Sequence, residues 1–248
     1  MPPANTLSFF TILSWAQIDN RQRRFSADAS FNFKDNPAAI QADLVRCNRF
    51  NRMMTEKNME DTENQGFFKG QFLMAMPGLI DPNFHQTVTC MCEHNAEGAM
   101  GVVINRVHHA LTAKDIFEEL NIDCAPPMEH IPIHLGGPVH IAEIFVLHGP
   151  PFDWEASLMI TPDVALSNTK DIIESIALEK GPESFIISLG CAGWGPDQLE
   201  TEIKQNAWLT YPVFAENIFK MPVEDRWEEA VKKMGIDPRL LSDRAGHA

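Results

Sequence analysis

Cys90-Met91-Cys92-Glu93-His94-Asn95 is the segment richest in reactive side chains, and it ends an apolar run. In a strand, residues two apart share a face, so Cys90, Cys92 and His94 are expected to point the same way. Thiolate and imidazole are good zinc ligands, and His134, His140 or His148 could complete a set. Two-residue steps, however, separate Cα atoms by roughly 6.5–7 Å, which strains a shared tetrahedral ion. Small cysteines alternating into a core are the simpler reading, and no metal or cofactor is expected. Glu93 and His94 have the types for general acid–base work. Asn95, with Gly98 beyond it, also suits plain turn chemistry.

Two glycine-bearing segments come next. Gly190-Cys191-Ala192-Gly193-Trp194-Gly195 is read as the link between a buried strand and a helix N-terminus. Such a position can bind anions or lower a thiol pKa, which would make Cys191 a nucleophile with His94 or His148 as its base. The competing reading is a close-packed corner covered by Trp194. Leu135-Gly136-Gly137-Pro138 lacks both phosphate-loop patterns and reads as a tight turn. On the helix that follows, Gln198, Glu200 and Glu202 are expected to be solvated, with Glu200 and Lys204 spaced for an i,i+4 pair. Serine-hydrolase elbows, H-E-x-x-H helices and kinase motifs are absent.

These residues need a scaffold, and the chain supplies it unevenly. Of 248 residues, the first 66 balance their charges, so the rest carries the whole net charge of −14. A surface this acidic disfavours non-specific nucleic-acid binding. No apolar run approaches membrane-spanning length, so no membrane partner is expected. Five cysteines without framework spacing read as reduced thiols in a cytosolic compartment. Met53, Met54 and Met59 precede the globular pattern. Residues 1–66 are therefore expected to be a disordered lead-in or sequence upstream of the true initiator. Residues 67–248 form the globular domain.

Within that domain, strands are predicted over Gln71–Met76, Gln86–Glu93, Ala99–Asn105, Ile131–Leu135, Glu143–His148, Ser157–Ile160, Val164–Leu166 and Ser184–Leu189, with extended chain over Ala207–Val213. Helices are predicted after the N-cap Thr112, over Thr169–Leu178, from Pro196 as the first helical position and over Val223–Met234. Strands and helices interleave without a βαβ rhythm, which predicts an α+β fold with mixed sheets.

An ordered set of short motifs adds to this. Phe72-Leu73-Met74-Ala75-Met76-Pro77, Asp81-Pro82-Asn83-Phe84, Cys92-Glu93-His94-Asn95, Gly98-Ala99-Met100-Gly101 and Asn105 come first. Leu135-Gly136-Gly137-Pro138, Phe145-Val146-Leu147-His148 and the Gly190, Trp194, Gln198-Leu199-Glu200 block follow. Asn206-Ala207-Trp208-Leu209, Arg226-Trp227 and Ala245-Gly246-His247-Ala248 close the set. Together, over about Gly70 to Ala248, they resemble the AlgH/YqgE family of uncharacterised bacterial proteins. The resemblance implies a bifurcated, mixed β-sheet forming a pseudo-barrel with peripheral helices. It also implies a bacterial cytoplasmic protein starting near Met54 or Met59. It brings no reaction, only a suggested part in transcriptional regulation. Cys191 stands where the family usually has Tyr and Cys90 where an aromatic is common, and both departures weaken the thiol chemistries.

The reading that results is a ligand- or partner-binding regulatory module, its cleft drawn from Glu93, His94, Asn95, Gly136, Gly137, Pro138, His148, Gly190, Trp194 and Gln198. Its partner is a protein or a small ligand. The alternatives are a transcription-associated regulator and an enzyme using His/Glu acid–base chemistry.

Overall fold

Phe72 and Met74 of β1 (Gln71–Ala75) enter one core, while Leu73 and Ala75 enter another. That is the period-two alternation of an extended chain. The computed structural model describes residues 68–237. The expectations for residues 1–66 and for the Ala245–Ala248 motif lie outside the described residues. β2 (Val88–Asn95) and β3 (Gly98–Val103) form the predicted hairpin, and β4 (Val107–Thr112) follows. Then come α1 (Ala113–Glu119), β5 (Pro132–Leu135), β6 (Val139–His148), β7 (Ser157–Thr161) and β8 (Val164–Ser167). The chain continues with α2 (Lys170–Ala177), β9 (Phe185–Trp194), α3 (Gln198–Lys204), β10 (Trp208–Pro212), α4 (Ala215–Phe219) and α5 (Arg226–Lys233).

The main strand path runs β10-β1-β2-β3-β9-β6-β8-β7. β9 is where the sheet divides. It pairs with β6 from Phe185 to Cys191, with β5 in parallel over Ile187–Leu189, and with β3 over Ala192–Trp194. All other pairings are antiparallel. The fold is therefore α+β with a mixed, forked sheet, as expected.

Among the described residues the sheet does not close into a barrel. β7 curls back toward the start of β1, so that a Cβ on Gly70 would lie 3.3 Å from the Ile160 carbonyl oxygen. But β10 and β2 already occupy the two edges of β1, and among the described residues β7 has no strand partner beyond β8.

Helices cover three cores. α1 and α2 bring Ile116, Phe117, Ile172, Ile173 and Ile176 against Ile133, Val146 and Ile187. Full burial of such side chains contributes roughly 1.5–3 kcal/mol each. α4 and α5 cover the largest core with Ile218, Ala230 and Val231, and Trp227 and Met234 pack on its margin. α3 covers the third core with Leu199. The predicted cap of α1 is present: the Asp115 carboxylate accepts from the Thr112 backbone N–H at 2.8 Å and its hydroxyl at 2.9 Å. Those bonds hold Asp115 below the usual carboxylate range.

Two local expectations are corrected. Between Met91 and Glu93 the β2–β3 register shifts, and this bulge reverses the alternation. Cys90 and Cys92 enter the largest core. His94 emerges on the other face, stacked on Phe68 with ring centroids 5.3 Å apart. The three residues do not share a face. Gly190–Trp194 is also strand rather than linker, because β3 offers backbone partners as far as Trp194. Consequently Pro196 falls ahead of α3, and Asp197 is its N-cap with φ +58°.

Candidate functional site

At the end of the sheet under α3, three strands place His94, Ala99 and Trp194 side by side, each paired with the next. His94 is buried, and its Nε2 lies 2.8 Å from the Glu200 carboxylate on α3. Glu202, one helical half-turn on, accepts three bonds. Trp194 Nε1 and Trp208 Nε1 both donate to its Oε2 at 2.9 Å, and Gln198 Nε2 donates to its Oε1 at 2.9 Å. Gln198 Oε1 in turn accepts the Gly195 N–H at 3.1 Å. Phe84 completes an aromatic cluster with the two tryptophans, its ring 6.1 Å from Trp194 and 5.5 Å from Trp208.

Glu200 and Glu202, expected to be merely solvated, thus both hold α3 to the strands beneath it. Glu200 turns to His94, and Glu202 satisfies two indoles that would otherwise be buried without acceptors. Replacing Glu202 with Ala is expected to cost about 3 kcal/mol in urea unfolding, because three donors lose their acceptor at once. A loss under about 0.5 kcal/mol would show that water substitutes freely.

Glu93 faces Lys69 at 3.4 Å, and Asn95 forms a turn, accepting the Glu97 N–H at 2.8 Å. Gly136 and Gly137 lie midway along β9, packed on Gly190 and Cys191, and Pro138 beside them is exposed. His148 is elsewhere. It pairs with Phe185 at the start of β9, about 30 Å of strand contour from Trp194 at a rise of about 3.3 Å per residue. It is fully buried, its Nδ1 2.7 Å from the Gly149 carbonyl and its Nε2 2.9 Å from Ser167 Oγ. Glu93, His94, Trp194 and Gln198 therefore gather at one end, the glycines hold the middle, and His148 sits at the other end.

Cys90, Cys92 and Cys191 are buried in the largest core. Burial pushes the Cys92 and Cys191 thiols up, and for Cys191 the nearby Glu143 carboxylate adds to this. Neither environment favours a thiolate nucleophile. Among the described residues, no three His, Cys, Asp or Glu side chains gather as a metal set.

A second location is concave. A groove of about 500 Å³ is lined by His85, Gln86, Asn105, Arg106, Val223, Glu224, Trp227 and Glu228. Its walls are pinned by side-chain bonds to backbone. Asn105 Oδ1 accepts the Val88 N–H at 2.7 Å and its Nδ2 donates to the Gln86 carbonyl at 2.8 Å. Arg106 donates from Nη1 to Pro82 at 2.8 Å and from Nη2 to His85 at 2.9 Å. Trp227 Nε1 donates to the Ala75 carbonyl at 3.1 Å.

Beneath the groove, Arg226 is buried. It donates from Nε to Met221 at 3.1 Å and from Nη1 to the Ile104 carbonyl, and it meets His134 Nε2 at 3.3 Å. Burial lowers Arg226 to about 10, still charged at neutral pH. Burial, and then that guanidinium, lower His134 to about 4.

A family profile described as AlgH-like matches residues 72–239, more than half of the chain. The chain belongs to the AlgH-like family. A UPF0301 protein of Desulforapulum autotrophicum is 55% identical over 186 residues, covering 75% of this chain and 98% of its own. Another, from Thioalkalivibrio sulfidiphilus, is 45% identical over 181 residues, covering 73% and 97%. The solution structure of AlgH from Pseudomonas aeruginosa matches with a TM-score of 0.62 at 42% identity, over 75% of this chain and 100% of that one. A crystal structure from Corynebacterium diphtheriae, at a TM-score of 0.56 and 16% identity, covers 73% and 92% and shares the fold.

The AlgH-like family is uncharacterised and has no assigned reaction. In this AlgH-like chain the groove was not picked out by chemistry read along the sequence. Its one signal there was that Asn105 and Trp227 belong to the ordered motif set. His85, Arg106 and Glu224 carried no signal, since each is an ordinary surface residue until the tertiary fold faces them across a concavity. No helix among the described residues is long and apolar enough to cross a membrane.

Proposed function

We propose that this chain is a ligand-binding regulatory module of the bacterial cytoplasm, and that the groove between His85-Gln86, Asn105-Arg106 and the segment that leads into and opens α5 (Val223, Glu224, Trp227 and Glu228) is its recognition site. The observation that carries the reading is a concavity of about 500 Å³, within the size range of small-molecule sites, whose walls are held from behind. Asn105, Arg106 and Trp227 each spend polar atoms on backbone groups, so the site needs little ordering on binding. Supporting the compartment, Cys90, Cys92, Cys124 and Cys191 are all free thiols. The α3 end, with Glu93, His94, Trp194 and Gln198, acts as the rigid support of loop 81–86 through Phe84.

The test is a small-metabolite screen read by amide chemical shifts of the labelled protein. Shifts confined to residues 85–86, 105–106 and 223–228 are expected with at least one compound. A screen in which hits cluster elsewhere, or no compound perturbs these residues, would overturn the assignment.

A further inference from the structure

Resting on that groove as the recognition site, we propose that its ligand is a small zwitterion of amino-acid or dipeptide size, with its carboxylate on Arg106, its ammonium on Glu224 and a flat side chain against Trp227. Of the five N–H donors of Arg106, two are committed to the Pro82 and His85 carbonyls, which carry no countercharge. Among the described residues no carboxylate lies within ion-pair distance of it. Partial burial lowers its pKa and Asp81 offsets this, so the guanidinium remains charged. In a protein with a net charge of −14, an arginine that lines a groove with Asp81 near it but no carboxylate in contact is a site for an outside anion, and its fork suits a carboxylate in particular.

The same groove holds the complementary feature. Glu224 lines the groove, is exposed, and has no ion-pair partner among the described residues. Glu228 beside it is shared with Lys232 at 2.9 Å. Cation and carboxylate therefore face one concavity without reaching each other, and a ligand carrying both charges satisfies both walls. A simple anion would meet Glu224 and Glu228, and a simple cation would meet Arg106. That double penalty is how the groove would reject each of them. Between the walls, Trp227 is half-buried with its indole N–H fixed on Ala75. That bond holds the ring against the wall as a flat contact surface.

Titration calorimetry with three probes of one shape reads this directly: L-tryptophan, tryptamine (no carboxylate) and indole-3-propionate (no ammonium). Tryptophan is expected to bind at least about tenfold tighter than either analogue. In Glu224→Gln, tryptophan is expected to lose its advantage over indole-3-propionate while keeping its advantage over tryptamine. Glu224 is exposed and makes no ion pair among the described residues, but its charge supports the Arg226 guanidinium, so an unchanged urea midpoint is the check that Glu224→Gln folds as the parent does. Arg106→Lys is expected to shrink the advantage over tryptamine, because a point charge cannot replace the fork. Equal binding of all three probes, or tighter binding of either analogue, overturns the zwitterion. So does failure of all three to bind. If amide shifts still place other compounds in the groove, the zwitterion alone fails and the groove stands. If nothing perturbs the groove, the underlying reading fails as well.

Discussion

Gly137→Ala is expected to leave little folded protein. A Cβ at this position would lie 2.3 Å from both the carbonyl carbon and the oxygen of Cys191, and φ is +149°. Those atoms are backbone of β9, which is held by β6, β5 and β3 at once, so they cannot move aside as a flexible side chain would. Gly136 next to it has the same constraint. A Cβ there would meet the Gly190 carbonyl oxygen at 2.1 Å, and its backbone already bridges Val103 and Leu189, each at 2.8 Å. Either substitution is expected to cost more than about 4 kcal/mol, the range reserved for overpacking that cannot relax.

The measurement is urea unfolding of whatever soluble protein is recovered. Gly195→Ala serves as the control, since its new methyl meets only Gln198 Oε1 at 3.9 Å, and a change within about 1 kcal/mol is expected there. A Gly137→Ala protein as stable as the control would show that the β5–β6 connection does not press on β9. The Gly-Gly pair thus works through close backbone approach, and the sheet forks where that approach is tightest.

Acid is expected to act through His134. Its pKa is depressed to about 4, first by burial and then by the Arg226 guanidinium. The unfolded chain takes up this proton near 6.5, the folded protein only near 4. Between those values the unfolded state holds more protons, so stability falls as pH falls through the window. Above about 6.5 both states are neutral at this site and the contribution is complete. A separation of about 2.5 units corresponds to about 3 kcal/mol. His148 is lowered by burial as well, and its loss has the same sign.

Carboxylates also titrate below pH 5, so the informative quantity is a difference between proteins. His134→Gln retains an acceptor for Arg226 and cannot protonate. Its loss of unfolding free energy from pH 7 to pH 4 is expected to be about 3 kcal/mol smaller than that of the unmodified chain. Arg226→Met should also flatten the curve by raising the His134 pKa, at a lower stability throughout because the Ile104 carbonyl loses its donor. Parallel pH curves for His134→Gln and the parent would show that His134 is not the acid-sensitive group. The pair matters beyond stability. Arg226 fixes the start of α5 on Ile104, and Asn105 and Arg106, the next two residues, form one wall of the groove. An acid-loosened α5 is therefore expected to lose the groove first.

Much of the scaffold was legible along the chain. Apolar runs such as Gln71–Ala75 and Ala99–Val103, and stripes such as Ile172, Ile173 and Ile176, carry their period locally, and local period selects strand or helix. Turn and cap residues did the same for Thr112 and Asp115. Three features were not legible. β4 (Val107–Thr112) contains exposed His109 and Ala110 and is strand only because β5 lies alongside. Gly190–Trp194 reads as loop by glycine content and is strand because β3 reaches it. The bulge at Cys92 leaves no mark in composition, yet it decides the face on which His94 emerges.

The candidate site divides along the same line. Residue types along the chain determined which groups could bind or catalyse, and the acidic balance that disfavours nucleic acid. They also marked the cysteines as core material, because thiols alternating in an apolar strand have little to recommend them as nucleophiles. Only the tertiary structure decided which of those groups meet. It carries Glu202 to two tryptophans, parts His148 from His94 by the length of β9, and brings Arg106 and Glu224 into the lining of one groove. The reason is physical. Secondary structure follows from interactions a few residues apart, whereas a site depends on strand register, a bulge and helix docking, which long-range backbone pairing sets.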